Sequence, residues 1–290
     1  MAPSQIHFRS ISLPSRLHPI NSTGFESELQ KLNSFISKNA PITSETIQSG
    51  LLGLAELYTS IELYNSAQKQ LTQSIALQDA KSTEESLSSS VDLLDSCSAM
   101  KELFQMIKEN IQTLQSALRI KGLEHSTSSV QNDVTSYFSF RERMNRLTAK
   151  TLKSLKNLEQ MKNGSLNCTN INVFRELTGV TIAIFRRVLV FLSWPTSRPS
   201  SNWALVSKLM HIKSAASENN DVANEVGNVD FALSFLQGKM KSNEATVFDV
   251  QKKLQNLESV VEGFERGLES LFRQLVQSRV TLLNILTHQN

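Results

Sequence analysis

The last third of the chain carries its strongest alternation of apolar and polar positions. Two series alternate there at spacings of three and four residues, and one polar residue, Ser278, interrupts them. The series are Val247, Leu254, Val261, Leu268, Leu275 and Leu282, and Val250, Leu257, Phe264, Leu271, Ser278 and Ile285. This heptad pattern predicts one helix of about 60 Å. Further apolar positions widen its inner face and favour burial inside a bundle: Phe272, Val276, Leu283 and Leu286.

Weaker patterns of the same kind precede this helix. A series from Leu93 to Leu118 predicts another long helix, with a start at Ser82, a stop at Gly122, and Cys97 as a small buried hydrophobe. Further helices are predicted from about Phe25 to Lys38, from after Pro41 to about Gln78, and from Ser129 to Gly164. The apolar stretch at residues 177–194 predicts a buried helix that turns Arg186 and Arg187 outward, because it is too short and too interrupted to span a bilayer.

These patterns predict an all-α fold, an elongated antiparallel bundle of long helices with a disordered N-terminal tail. Glycine (10) and proline (6) are scarce among the 290 residues, as expected for few turns. We predict a basic tail over residues 1–23 and a helical domain over residues 24–290, with an internal break near residues 194–202 and a polar loop at residues 217–228. We favour packing of the last helix within the chain, and a homo-oligomeric coil stays open.

The chain lacks the common motifs of catalysis. It has no glycine-rich phosphate loop, no nucleophile elbow, and no histidine paired with cysteine or aspartate at the spacing of metal ligands. We therefore expect no enzyme activity and no catalytic, cofactor-binding or metal-binding residues. The net charge of +3 is too small to favour nucleic acid, and two cysteines favour a reducing compartment, the cytoplasm.

One basic stripe follows helical spacing and is a candidate binding face. It consists of Arg143, Arg146, Lys150 and Lys153, and Arg141 lies nearby. Such a face could attract an anionic membrane, an acidic partner or RNA. We favour the plainer interpretation, a solvated face paired with acidic residues of a neighbouring helix, because no aromatic residues interleave with the cations to stack bases.

Gly263 and Gly267 lie one turn apart within the last helix. Glycine inside a helix costs about 1 kcal/mol relative to alanine. Two interpretations stay open: the pair lets another helix approach closely, or it is a tolerated weak point.

The N-terminal segment RSISLPSR, from Arg9 to Arg16, suggests a phosphorylation switch. Arg9 precedes Ser12 by three residues and Pro14 follows it by two, with Ser10 between. This is the Arg-Ser-x-phosphoserine-x-Pro pattern that 14-3-3 proteins bind. Two other interpretations stay open: a transit peptide for a plastid or mitochondrion, and an inert tail.

The two ends of the chain together resemble a known family. HFRSISLPSRLHP (residues 7–19) and LESVVEGFERGLESLFRQLVQSRVTLLNIL (residues 257–286) resemble a plant-specific domain of unknown function, number two-four-one, grouped with BYPASS-like proteins. Phe264 departs mildly from the family pattern, where an aliphatic residue is expected. The resemblance implies a helical, non-enzymatic plant protein linked to root and shoot development, and it supplies no catalytic or ligand-binding residues.

Overall fold

Seven helices make up the part of the chain that the structure describes. In a computed structural model, the described residues are 22–36, 42–67, 80–121, 127–161, 169–193, 224–238 and 244–287. The helices are α1 (Ser22–Ile36), α2 (Ser44–Ala67), α3 (Ala80–Lys121), α4 (Thr127–Met161), α5 (Thr169–Leu192), α6 (Glu225–Gly238) and α7 (Glu244–Thr287). No strand occurs among these residues, so the predicted all-α class is confirmed.

Helix α7 forms one wall of the core. Its 44 residues span about 66 Å at 1.5 Å per residue. The heptad prediction is confirmed, since its positions from Val250 to Leu282 are buried, including the polar Ser278. The outer positions differ from the prediction, because Val276 and Leu283 stay exposed.

Helices α3 and α7 pack against each other in opposite directions. Glu258 of α7 accepts hydrogen bonds from the amides of Gln112 and Gln115 near the end of α3. Farther along α7, Arg279 donates to the carbonyl oxygen of Leu87 and the hydroxyl of Ser90 near the start of α3. Residue numbers therefore fall along one helix as they rise along the other.

Helix α2 crosses α7 in the same direction, unlike a purely antiparallel bundle. A Cβ atom built on Gly267 would lie 2.9 Å from Cβ of Leu51, which is shorter than a van der Waals contact, and one on Gly263 would overlap the amide end of Gln48. The close-approach interpretation is therefore confirmed at Gly267, because α2 occupies the space that a side chain there would need. At Gly263 the space is filled by the end of a flexible side chain, which can move aside.

Several predicted boundaries move. Helix α3 already includes Ser82 and Glu85, so they do not mark its start. Its end at Lys121, directly before Gly122, agrees with the prediction. The predicted break at residues 194–202 and the tail up to residue 21 lie outside the described residues.

Helix α6 replaces the end of the predicted polar loop at residues 217–228. Asn224 caps this helix, because its side-chain oxygen accepts a hydrogen bond from the backbone nitrogen of Gly227 at 2.9 Å. Val226, Val229 and Leu233 then lie on its buried side. The cap and this apolar spacing are the signals that could have predicted α6.

Candidate functional site

The four residues of the predicted basic face all lie on α4 and are exposed. Arg143, Arg146, Lys150 and Lys153 follow one side of the helix over about 15 Å. Among the described residues, none of them forms an ion pair. The guanidinium of Arg143 contacts the sulfur of Met106 at 3.2 Å. The expected pairing with acidic residues of a neighbouring helix is therefore wrong for this part of the chain.

The local sequence explains why this face is positive. No acidic residue occurs between Arg143 and Leu158. The next acidic residue, Glu159, forms an ion pair with Arg186 of α5 at 2.8 Å. The opposite side of α4 packs into the core, with residues such as Met144 and Leu155 buried. The apolar side therefore fixes the rotation of α4, and the cations point into solvent.

An acidic strip borders the basic face at Arg143. An open groove of about 690 Å³ lies there, lined by residues of α3, α4 and α7. Glu102 and Glu109 of α3 supply carboxylates to the groove, Lys101 of α3 lines it as well, and the carboxylate of Glu265 of α7 is paired with Lys108. A partner that lies across both strips would meet charge of both signs. Such a partner would bind in one orientation, whereas the basic face alone would attract an anion in any orientation.

A second polar arrangement, which the sequence did not predict, lies directly behind the basic face. Nε of Arg141 donates to both carboxylate oxygens of Asp230 at 3.1 Å, and Nη2 donates to Oδ2 at 3.0 Å. The hydroxyl of Tyr137 donates to Oδ1 of Asp230 at 2.7 Å. Nη1 of Arg141 donates to the carbonyl oxygen of Leu192 at 2.8 Å. We call these four residues the buried clasp.

The clasp joins three helices at the end of α5. Leu192 is the last residue of that helix, so its carbonyl group has no partner within the helix. Arg141 of α4 satisfies it, and Asn224 satisfies the preceding carbonyl, that of Phe191, at 2.8 Å. Asp230 of α6 holds the guanidinium in place. Helices α4, α5 and α6 therefore share one hydrogen-bonded network.

Burial and the contact with Asp230 keep Tyr137 and Arg141 of the clasp protonated. Burial raises the pKa of Tyr137 well above its ordinary value, and the adjacent carboxylate of Asp230 raises it further. Burial alone would lower the pKa of Arg141, but Asp230 outweighs this effect and the pKa is raised. Tyrosine and arginine both keep their protons at neutral pH, so both side chains continue to donate their hydrogen bonds to Asp230.

The position of Arg141 contained a signal that the residue is buried. It follows Tyr137 by four residues and precedes Met144 by three, so it lies on the apolar side of α4. The sequence interpretation grouped Arg141 with the exposed cations because of its charge. The structure separates them: Arg141 is 1% exposed, whereas Arg143 is exposed.

The remaining sequence-predicted site lies outside the described residues. This applies to the whole phosphorylation motif: Arg9, Ser10, Ser12 and Pro14. Within the described part of the chain, no group of three or more histidine, cysteine, aspartate or glutamate side chains could hold a metal ion. No helix in that part is long and apolar enough to cross a membrane.

Comparison with protein families gives one match. The family model described as Protein BPS1 matches residues 50–285. The chain belongs to this family. The match includes the basic face and the clasp, and it confirms the resemblance to BYPASS-like proteins. It does not include the N-terminal motif at residues 9–16. No curated protein and no solved structure matches the chain.

Membership in the BPS1 family is consistent with a plant developmental protein whose biochemical function is unknown. The family therefore indicates the biological setting and leaves the molecular role to be argued from the surface of the helices.

Proposed function

We propose that this BPS1-family chain is a non-enzymatic interaction protein that acts as a scaffold and binds an acidic partner through the basic face of α4. The observation that carries the proposal is the row of four exposed cations without ion pairs among the described residues. An unpaired row of like charge is costly to the folded chain, and binding an oppositely charged surface relieves that repulsion. We also propose that the protein takes part in root and shoot development.

A protein partner fits the border between the basic and acidic strips. An acidic peptide or helix can place carboxylates against Arg146 and Lys150 and a cation near Glu102 or Glu109. Complementary charge of this kind raises the association rate and fixes orientation. A homogeneous anionic surface would gain from the cations and be repelled by the carboxylates.

A second candidate is a peripheral membrane adaptor, favoured by the alignment of the four cations along one exposed side. Each lysine or arginine near an anionic lipid surface contributes about 1 kcal/mol, so four contribute about 4 kcal/mol at low salt. This attraction weakens steeply as salt rises.

One experiment separates the two candidates. The full chain is titrated with a fluorescent peptide in which a run of glutamates is followed by two lysines, and is sedimented with phosphatidylcholine vesicles that contain or lack phosphatidylserine. The variant is Arg146→Glu/Lys150→Glu. The matched control is Lys252→Glu/Arg266→Glu, which changes the net charge equally at exposed positions of α7.

The acidic-partner proposal expects peptide binding that the face variant lowers by at least about tenfold and that the control keeps. Binding to the phosphatidylserine vesicles alone would support the membrane adaptor. An equal loss in variant and control would refute both, because net charge and not the α4 face would then control binding.

The N-terminal motif adds a proposed regulatory step. Phosphorylation of Ser12 would add about −1.5 to −2 charges and create a ligand for 14-3-3 proteins. A synthetic peptide of residues 5–19, with and without phosphate on Ser12, is titrated into a purified 14-3-3 protein. Binding of both peptides alike, or of neither, would contradict this step.

We propose a cytoplasmic location for the protein, with a plastid or mitochondrion as alternatives. A fluorescent protein fused to the C-terminal end distinguishes them, and import into either organelle would favour a transit peptide at the N-terminus.

A further inference from the structure

The open groove beside the basic face has an apolar floor. Met106 of α3 and Leu147 of α4 are half-buried side chains that pack against the core and also line the groove. The guanidinium of Arg143 lies next to this floor, 3.2 Å from the sulfur of Met106. A ligand that offered charge alone would leave both apolar side chains in contact with water, so the groove favours a ligand that also carries an apolar group.

The groove has room for about two turns of a helix. Its lining extends along α3 from Lys101 to Glu109, a rise of about 12 Å, and two helical turns rise about 11 Å. Its volume of about 690 Å³ exceeds that of a single side chain several times. An amphipathic helix can therefore lie along the groove with an apolar side chain on the floor.

The cations of α4 are arranged around the floor at helical spacing. Arg143 lies four residues before Leu147, and Lys150 lies three residues after it. Both cations therefore lie one turn away from Leu147 on the same side of the helix. Neither forms an ion pair among the described residues. A helix that runs alongside α4 repeats this spacing, so acidic residues one turn before and one turn after its apolar residue would meet the two cations.

The α3 side of the groove is weakly acidic. Glu102 and Glu109 are exposed and form no ion pair with described residues, and Glu109 accepts a hydrogen bond from Gln105 at 2.9 Å. Lys101 offsets part of this charge, and its ammonium lies 5.2 Å from the ring centre of Phe272. The main charge preference of the groove therefore comes from α4, and the α3 side favours a basic group on the other side of the ligand.

We propose that the groove binds an amphipathic helix of a protein partner, in which one bulky apolar residue has acidic residues one turn before and one turn after it. This inference rests on the proposed function, because the same basic face holds the acidic residues; it adds the apolar anchor and the spacing. Charge complementarity selects this occupant. A purely apolar helix would cover Arg143 and Lys150 without a counter-charge, and RNA would leave Met106 and Leu147 without an apolar contact.

The test is the affinity of the full chain for three fluorescent alanine-based peptides, measured by fluorescence anisotropy. In the first, a leucine has glutamates four residues before and three residues after it, and lysines three residues before and four residues after it. In the second, serine replaces the leucine. In the third, the two glutamates are moved to the opposite side of the helix. The first peptide should bind at least about tenfold more tightly than the second, because its leucine leaves water, and more tightly than the third.

A variant of the floor tests the same contact from the side of the protein. Met106→Gln/Leu147→Gln removes the apolar floor without changing the charge, so it should weaken binding of the leucine peptide about tenfold and leave the serine peptide unchanged. The matched control, Leu52→Gln/Val91→Gln, makes the same change at apolar residues outside the groove that are 50% and 40% exposed. It should bind both peptides as the wild type does. If the floor variant fails to fold, the leucine and serine peptides on the wild-type chain still decide.

The outcomes separate this inference from the proposed function. Equal binding of the leucine and serine peptides, weakened in both by Arg146→Glu/Lys150→Glu, would overturn the anchor and leave the basic face as a binding site. Equal binding of the first and third peptides would overturn the spacing. If the chain binds the peptide with a run of glutamates but none of these three, only the inference fails; if it binds none of the four, the proposed function fails too. A wild-type dimer that Leu147→Gln dissociates would assign the groove to a second copy and overturn the proposal.

Discussion

The buried clasp gives the sharpest prediction about stability. Replacing Arg141 by methionine keeps most of the side-chain volume and removes the guanidinium. The carboxylate of Asp230 is 1% exposed, and it would lose three hydrogen bonds, two from Nε and one from Nη2, together with its counter-charge. The carbonyl oxygen of Leu192 would lose the hydrogen bond from Nη1. Breaking a buried ion pair from one side costs about 3 to 5 kcal/mol, so we expect this decrease in the free energy of unfolding.

The assay is urea unfolding followed by circular dichroism at 25 °C, with the m-value compared between variants. Arg143→Met, two residues away on the same helix, is the control and should change stability by less than about 0.5 kcal/mol because Arg143 is exposed. In the double variant Arg141→Met/Asp230→Leu no charge stays buried, so it should lose less stability than the sum of the two single variants.

Two results would refute this reasoning. A loss below about 1 kcal/mol for Arg141→Met would mean that the carboxylate finds water or another partner. Strict additivity in the double variant would mean that the two side chains do not act as a pair.

The remaining predictions concern the contacts of α7 with α2, at its two glycines, and with α3, at Cys97. Gly267→Ala should lower the free energy of unfolding by about 1 to 2 kcal/mol, because the clash with Cβ of Leu51 outweighs the gain in helix propensity of about 1 kcal/mol. Gly263→Ala should be neutral or stabilising, because the end of the Gln48 side chain can move aside. Equal effects of the two variants in urea unfolding would contradict this contact geometry. Burial raises the pKa of the Cys97 thiol to about 12, so about 10⁻⁴ of it is ionised at pH 8. With Cys168 replaced, Ellman's reagent should react with Cys97 only when the chain unfolds, and rapid labelling of the folded chain would contradict the buried position. The folded chain holds the thiol proton of Cys97 more tightly than the unfolded chain does. The contribution of this thiol to the free energy of unfolding should therefore fall as pH rises from about 9 to 12.

The basic face is the part of the candidate site that the sequence predicts best. Helical spacing places Arg143, Arg146 and Lys150 on one side of a helix, and the structure confirms that they are exposed together. The sequence does not say which helix lies beside them. The acidic residues of α3 lie near Arg143 and form no ion pair with it, because the direction and distance of their side chains depend on how α3 and α4 pack.

The clasp marks the limit of pattern reasoning. Charge predicts an exposed arginine and spacing predicts a buried one, and both applied to Arg141. Burial prevailed because Asp230, 89 residues away, supplies a counter-charge. That partner lies on α6, a helix that the sequence interpretation had assigned in part to a loop. A buried charge is tolerable only when a partner from elsewhere in the chain contacts it, and the local sequence does not show which distant residue will do so.

By itself, the sequence determined the class of the fold and the inner side of its longest helix. Heptad spacing fixes which side chains share a face, because the geometry of an α-helix is local and repeats every 3.6 residues. The positions from Val250 to Leu282 were predictable for that reason. The tertiary structure alone decided that α2 crosses α7 at Gly263 and Gly267, in the same direction, and that Arg141 meets Asp230. These are contacts between residues far apart in the chain, and they depend on how whole helices fill space together.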